Sequence, residues 1–371
     1  MKKILALVLT CMMVIGLVTG CAKGEKDTVK NAEPTKAADT QEPTKEGEKS
    51  SEKLIPVKYV LPRGLECLDD AHVWAAVEMG YFEEEGLDIS VEQSMGTTDV
   101  KMVSFGQAEF CVPAPVNQMV AREAGMPLIS VMQVDTRQIF GICVKSDSDI
   151  KSFADLKGKT VVLGVASWQS LFEPFVLAAG LQGSDIEYVV GGENRAQMVD
   201  IGQADAVFTW EKEYQLWQAQ GLDLRYISGQ DIVPACANSI ATTMDRVENN
   251  PELIEKFCRA YAKGIYFCKV NPEAAAAIVV KKFPALNLTV EQALPAIMGL
   301  VTITNDDDTE TYGYGHHNAD EWQIVKDGGL LSNSFTEDLP VEEYYTNDFL
   351  EAINDFDKAE VEADAKAYVI K

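Results

Sequence analysis

Asp69, Asp70 and Trp74 stand close together early in the chain, Ser167 precedes Trp168, and Trp210 is followed at once by Glu211. An indole beside a carboxylate can stack on a flat ring and accept hydrogen bonds from its edge, which is recognition chemistry rather than bond-making. Trp74 reads either as such a stacking wall or as a core residue of an amphipathic helix. Gly96-Thr97-Thr98 leads into a helical pattern; its backbone N–H groups can hold an anionic or carbonyl oxygen, or be capped by the Thr97 or Thr98 hydroxyl. Spacings that break bonds are missing. With three His and no H-E-x-x-H, C-x-x-C or G-x-S-x-G, neither a metal centre nor a nucleophile elbow is readable, and no cofactor is implied. Asn305-Asp306-Asp307-Asp308 lacks the glycine and spaced acids of a calcium loop, and His316 and His317 read as part of a solvated loop.

The elements that position these residues alternate. Val57–Leu61, Leu87–Val91, Glu109–Val112 and Leu128–Val134 read as strands, with helices at 70–85, 98–106 and 115–124 between them. The rhythm restarts with strands at 160–165, 186–190, 206–209 and 224–227 and helices at 170–179, 196–202 and 213–220. Such βαβ runs predict an α/β fold with parallel-rich sheets, whose ligands sit beyond the carboxyl ends of the strands. The loops carrying Asp70, Gly96, Ser167 and Trp168 lie at such ends. After Ile232 the pattern turns helical. Asn250 is read as a cap before Pro251, and Leu253, Phe257, Tyr261, Gly264 and Cys268 form one stripe. Helices follow at 272–282 and from the Thr289/Gln292 capping pair, then a helix at 321–326, a Gly328-Gly329 turn and a segment at 341–354. A stripe with no sheet of its own implies that this third returns to cover the first α/β unit.

The chain has 371 residues and a net charge of −26, a field that repels nucleic acid. Met1 to Lys3 is basic, Ile4 to Val18 apolar, and Leu17-Val18-Thr19-Gly20-Cys21 resembles the cleavage box of a bacterial lipoprotein signal, with Cys21 as the lipidated residue. Residues 1–20 are therefore expected to be a leader and 21–53, rich in Lys, Glu, Thr and Ser, a disordered tether. The leader carries +2 and the tether −1, so residues 54–371 carry −27. Cys67, Cys111, Cys143, Cys236, Cys258 and Cys268 sit in apolar patterns and are read as buried thiols, with one or two disulfides left open.

Gly80-Tyr81-Phe82-Glu83-Glu84-Glu85-Gly86-Leu87-Asp88-Ile89, Gly106-Gln107-Ala108-Glu109-Phe110, Asp155-Leu156-Lys157-Gly158-Lys159-Thr160-Val161, Gly202-Gln203-Ala204-Asp205-Ala206 and Trp210-Glu211 together resemble the solute-binding proteins of ABC importers. The likeness narrows to the family that binds thiamine pyrimidine precursors, alkanesulfonates, taurine and nitrate. Tyr345-Thr346-Asn347-Asp348-Phe349-Leu350 is similar to the tail of the pyrimidine-precursor binders. The resemblance implies a two-lobe, periplasmic-binding-protein-like (type II) fold with a hinge and an interlobe cleft. Lobe one would be 55–140 plus 240–371 and lobe two 145–232, with crossovers near 138–146 and 232–242. It implies cleft contacts at Pro113, Ala114, Asn117 and Gln138, a stacking Trp210 and a hydrogen-bonding Glu211; the family's His near Asp70 is here His72.

These expectations point to a lipid-anchored, extracytoplasmic, monomeric protein that takes a small solute and passes it to a membrane permease and its ATPase. Aromatics with carboxylates and no evident Arg clamp favour a nitrogenous ring, first a thiamine-related pyrimidine, over a sulfonate, taurine or nitrate. The competing classes are a pyrimidine-making enzyme of the same fold, whose Cys-rich iron motif this chain lacks, and a structural lipoprotein, which would have no closing cleft.

Overall fold

Among the described residues, β-branched and aromatic runs form ten strands: β1 (Ile55–Leu61), β2 (Leu87–Gln93), β3 (Phe110–Cys111), β4 (Leu128–Gln133), β5 (Phe140–Lys145), β6 (Thr160–Leu163), β7 (Glu187–Val190), β8 (Ala206–Trp210), β9 (Leu224–Ser228) and β10 (Ser239–Thr243). The computed structural model describes residues 53–370; the leader, Cys21 and the tether up to residue 52 lie outside the described residues. Two five-stranded sheets result, ordered β2-β1-β3-β10-β4 and β7-β6-β8-β5-β9. In the first, β1 runs parallel to β2 and β3, while β10 runs antiparallel to β3 and β4. In the second, β6 runs parallel to β7 and β8, while β5 runs antiparallel to β8 and β9. β5 and β10 each begin where the chain has just crossed from one sheet to the other, so 134–139 and 229–238 are the connections between the sheets.

The Pro251–Val270 helix buries the stripe read from its sequence against the Ala71–Met79 helix and the first sheet. Phe257 stacks on Phe110 with ring centroids 4.0 Å apart. Gly264 marks the crossing of the two helices: a Cβ there would lie 2.1 Å from the His72 carbonyl oxygen and 2.9 Å from the Ala76 Cβ. Gly264→Ala is expected to lower stability by about 1–3 kcal/mol, since the helices must part to admit one methyl group. Chemical denaturation of the variant and the parent measures the difference.

Several local readings need correcting. The helix expected over 70–85 breaks at Gly80, whose φ of 80° ends Ala71–Met79 before Tyr81–Glu84 begins. Asn250 occupies the N-cap position but accepts no capping bond, whereas Thr289 and Gln292 form the reciprocal box. Gly328 and Gly329 continue the Ala319–Leu331 helix instead of turning, and the Phe335 ring fills the space that a Cβ on Gly329 would need, so the glycine there serves packing. That helix packs on Pro115–Glu123 of the first unit and on Gln169–Ala178 of the second, so the C-terminal third covers both units. The segment at 341–354 holds only the single turn Val341–Glu343 and the short helix Leu350–Asn354, since Tyr345 bridges to Ser130 at the edge of β4. His317 is buried, with Nδ1 3.1 Å from Gln133 Oε1 and 3.2 Å from Trp322 Nε1, and burial pulls its pKa down to about 3. All six described cysteines are buried free thiols.

Candidate functional site between the two sheets

The carboxyl ends of β1, β3, β6 and β8 converge on one cleft of about 510 Å3, counting the space open to solvent at its mouth. Pro62 and Arg63 follow β1 directly, and Asp69 lies further along the same loop. Gly96 follows β2, while Ala114 and Asn117 follow β3. From the second sheet come Phe208 and Trp210 at the end of β8, Phe140 paired with Trp210 across the ladder, and Trp168 and Leu171 after β6. Asn238 enters from the connection just before β10.

The division of labour is clear. Every aromatic side chain in the lining belongs to the second sheet, whereas Arg63, Asp69 and Asn117 belong to the first. The Asn117 and Asn238 carboxamides line the cleft with no side-chain partner among the described residues, leaving both donors and acceptors for a ligand. A slot of this kind holds a flat ring by its faces and reads its edge by hydrogen bonds.

The sheets also touch each other directly. Trp210 Nε1 donates to Asp69 Oδ1 at 2.5 Å. Lys212 Nζ, on the helix that follows β8, lies 3.2 Å from Asp135 and 3.9 Å from Asp69, all three being buried. Burial raises the pKa of Asp135, while Lys212 and then Arg63 oppose that shift. A Cβ on Gly96 would come 3.0 Å from Ser167 Oγ, so the loops after β2 and β6 meet at one lip of the cleft.

Of the residues expected at the site, Asp69, Gly96, Ala114, Asn117, Trp168 and Trp210 line it. The others lie outside its lining. Asp70 is held from two sides by Arg63, with Nε 3.1 Å and the terminal nitrogen 2.6 Å from its carboxylate. Trp74 is a core residue, edge-on to Phe283 at 5.3 Å with Lys282 Nζ 4.4 Å from its ring centre. Thr97 sits at the N-cap without a side-chain bond and Thr98 is exposed. Beneath them Asp99 is buried in the first turn, its carboxyl pushed up to about 7 by that burial. The Pro113 carbonyl accepts from Ser239 in the sheet, and Ser167 stays at the lip. Gln138 ties the two connections together, accepting from Phe140 N and donating to the Val233 carbonyl. Glu211 is taken by Arg137, at 2.8 Å.

Arg63, Pro62, Phe140, Leu171, Phe208 and Asn238 were missed. The first two follow β1 at once, so the carboxyl-end rule could have found them. Phe208 and Phe140 are strand residues whose facing is set by which side of the sheet is covered, and that is not written in their local sequence.

Residues 69–275, more than half of the chain, match the family described as NMT1/THI5 like. The chain belongs to that NMT1/THI5-like family. Among its relatives, riboflavin-binding protein RibY of Chloroflexus aurantiacus is 22% identical over 91% of this chain and 96% of its own length. The formylaminopyrimidine-binding protein of Halalkalibacterium halodurans is 27% identical over 68% of this chain and 78% of its own. Relatives named as 4-amino-5-hydroxymethyl-2-methylpyrimidine phosphate synthases also match, one from Legionella pneumophila at 23% identity over 60% of this chain and 72% of its own. Among solved structures, the aliphatic sulphonate binding protein SsuA of Escherichia coli superposes with a TM-score of 0.60 at 17% identity, covering 79% of this chain and 92% of that one. The fold of this NMT1/THI5-like chain is thus the α/β fold of periplasmic binding proteins.

Proposed function

We propose that the chain is the substrate-binding protein of an ABC importer, which captures a flat nitrogen-bearing ring between its two sheets and delivers it to a membrane permease. The observation that carries this reading is the cleft itself, with aromatic walls from one sheet and carboxamides, a guanidinium and a carboxylate facing them. A thiamine-related pyrimidine is the first ligand to test, and the names of the two binding-protein relatives, for riboflavin and for a formylaminopyrimidine, support a ring of that chemistry. Residues 55–140 with 240–371 would move as one lobe and 145–232 as the other, closing by rotation about the two connections. Lipidation at Cys21 would tether this body on the extracytoplasmic face.

A sulfonate, taurine or nitrate ligand is the second reading. The helix N-terminus after Gly96 that would receive such an anion already contains Asp99 in its first turn, which disfavours it. The expected result in calorimetry is binding of 4-amino-5-hydroxymethyl-2-methylpyrimidine, its formylamino analogue or riboflavin, with recovery of the compound unchanged. Binding of taurine or an alkanesulfonate alone would overturn the ring assignment, and conversion of the compound would overturn the binding-only role. For the anchor, radiolabelled fatty acid should appear on the parent chain and vanish in Cys21→Ala.

A further inference from the structure

Beside the aromatic walls the second sheet buries a cation outside the lining of the cleft. Arg195, only 3% exposed, opens the Arg195–Asp200 helix. Its guanidinium carbon lies 5.1 Å from the ring centre of Trp168, 5.7 Å from that of Trp210 and 5.4 Å from that of Trp217. One terminal nitrogen donates to the Gly192 carbonyl at 2.9 Å and the other to Glu213, whose second oxygen accepts from Thr209 Oγ1 at 2.6 Å. Nε has no hydrogen-bond partner among the described residues. Burial raises the pKa of Glu213, and the Arg195 charge works against that rise.

A buried ion pair with an unpaired donor is a poor device for stability, because desolvation cancels most of the attraction. What it does supply is geometry. A planar cation attracts the faces of several indoles at once, and one tied to a carboxylate oxygen and a carbonyl oxygen is held from turning. Trp168 and Trp210, the two walls of the cleft, stand nearly perpendicular at 77° with centroids 5.7 Å apart, and both lie against this one group. All of its partners belong to the second sheet and its helices, whereas Asp69, which holds Trp210 from the other side, belongs to the first.

We propose that Arg195 is a positioning residue that presets the Trp168 and Trp210 walls, so that the second sheet offers a finished stacking surface to the ring before Asp69 reaches Trp210. This rests on the ring-binding reading above. Arg195→Met should lower stability, because it leaves the buried Glu213 carboxylate without its cation; in the protein that stays folded it should weaken binding of riboflavin or 4-amino-5-hydroxymethyl-2-methylpyrimidine about tenfold and flatten the near-ultraviolet circular dichroism of the coupled indoles. Arg195→Lys, which keeps the charge and loses the flat fork, should recover part of both signals.

The proposal is overturned if Arg195→Met keeps the parental tryptophan signature and affinity, or if its affinity falls only in step with loss of folded protein. Should the Met variant fail to fold, Arg195→Lys carries the test on the same two readouts. The dichroism is measured without ligand, so it decides the role of Arg195 even where no ring binds. Failure of the parent chain to bind any ring refutes the functional reading alone.

Discussion

Trp210→Ala is expected to weaken ring binding by about 100-fold, the largest loss from any single side chain in the cleft. Two interactions go at once. Removing an aromatic platform from a stacked heterocycle costs about 1–3 kcal/mol. The indole N–H that bonds Asp69 across the cleft is a charge-assisted hydrogen bond of about 1.5–3 kcal/mol, so closure loses a contact along with the ligand. Trp210→Phe separates the two effects, since it keeps a ring and discards the donor; a loss near tenfold is expected for it. Titration calorimetry on the three proteins with one ring compound measures both steps. Parental affinity in Trp210→Ala would remove this residue from the site.

Lys212→Met is expected to cost about 3–5 kcal/mol of stability, more than any change in the cleft lining, because it leaves two buried carboxylates without their cation. Lys212 is 2% exposed, and Asp69 and Asp135 are buried with it. The deficit carries a sign in pH. Burial holds the Asp135 carboxyl above its ordinary value, and Lys212 is the larger of the two charges restraining that shift. In the variant the folded pKa therefore climbs further above the unfolded one. Between those two values the folded state binds more protons than the unfolded state, so variant stability falls as pH rises through the window and returns as pH is lowered. Urea unfolding at pH 5 and pH 8 should show the smaller deficit at pH 5. Equal deficits would mean that the ammonium is not what restrains the rise of the Asp135 carboxyl.

The two variants probe opposite ends of one design. Trp210 and Lys212 are two residues apart, one ending β8 and the other in the helix that follows, and they reach Asp69 in the loop after β1 and Asp135 just past β4. A segment of three residues thereby carries a ring wall and a latch. Neither acid lies near its donor in sequence. Asp69 and Trp210 are 141 residues apart in the chain, and Asp135 and Lys212 are 77 apart, so no local spacing records the encounter.

Periodicity by itself determined eight of the ten described strands, the helices between them and the buried stripe of Pro251–Val270, because alternation and 3.6-residue repeats are local properties of the chain; β5 and β10 were implied only as crossovers by the family resemblance. The rule that ligands sit beyond strand ends pointed to Gly96 and Trp168, the family resemblance pointed to Ala114, Asn117 and Trp210, and all five line the one cleft. Only the tertiary structure decided which side chains those loops turn inward. Trp74 and Trp210 are both tryptophans near acids, yet Phe283 and Lys282 enclose the first while Asp69 and Arg195 orient the second. Arg63 spends its charge on Asp70, and Glu211 is consumed by Arg137, so two carboxylates that looked available for a ligand are not. Side-chain availability is settled by partners distant in sequence, and those partners exist only once the two sheets face each other.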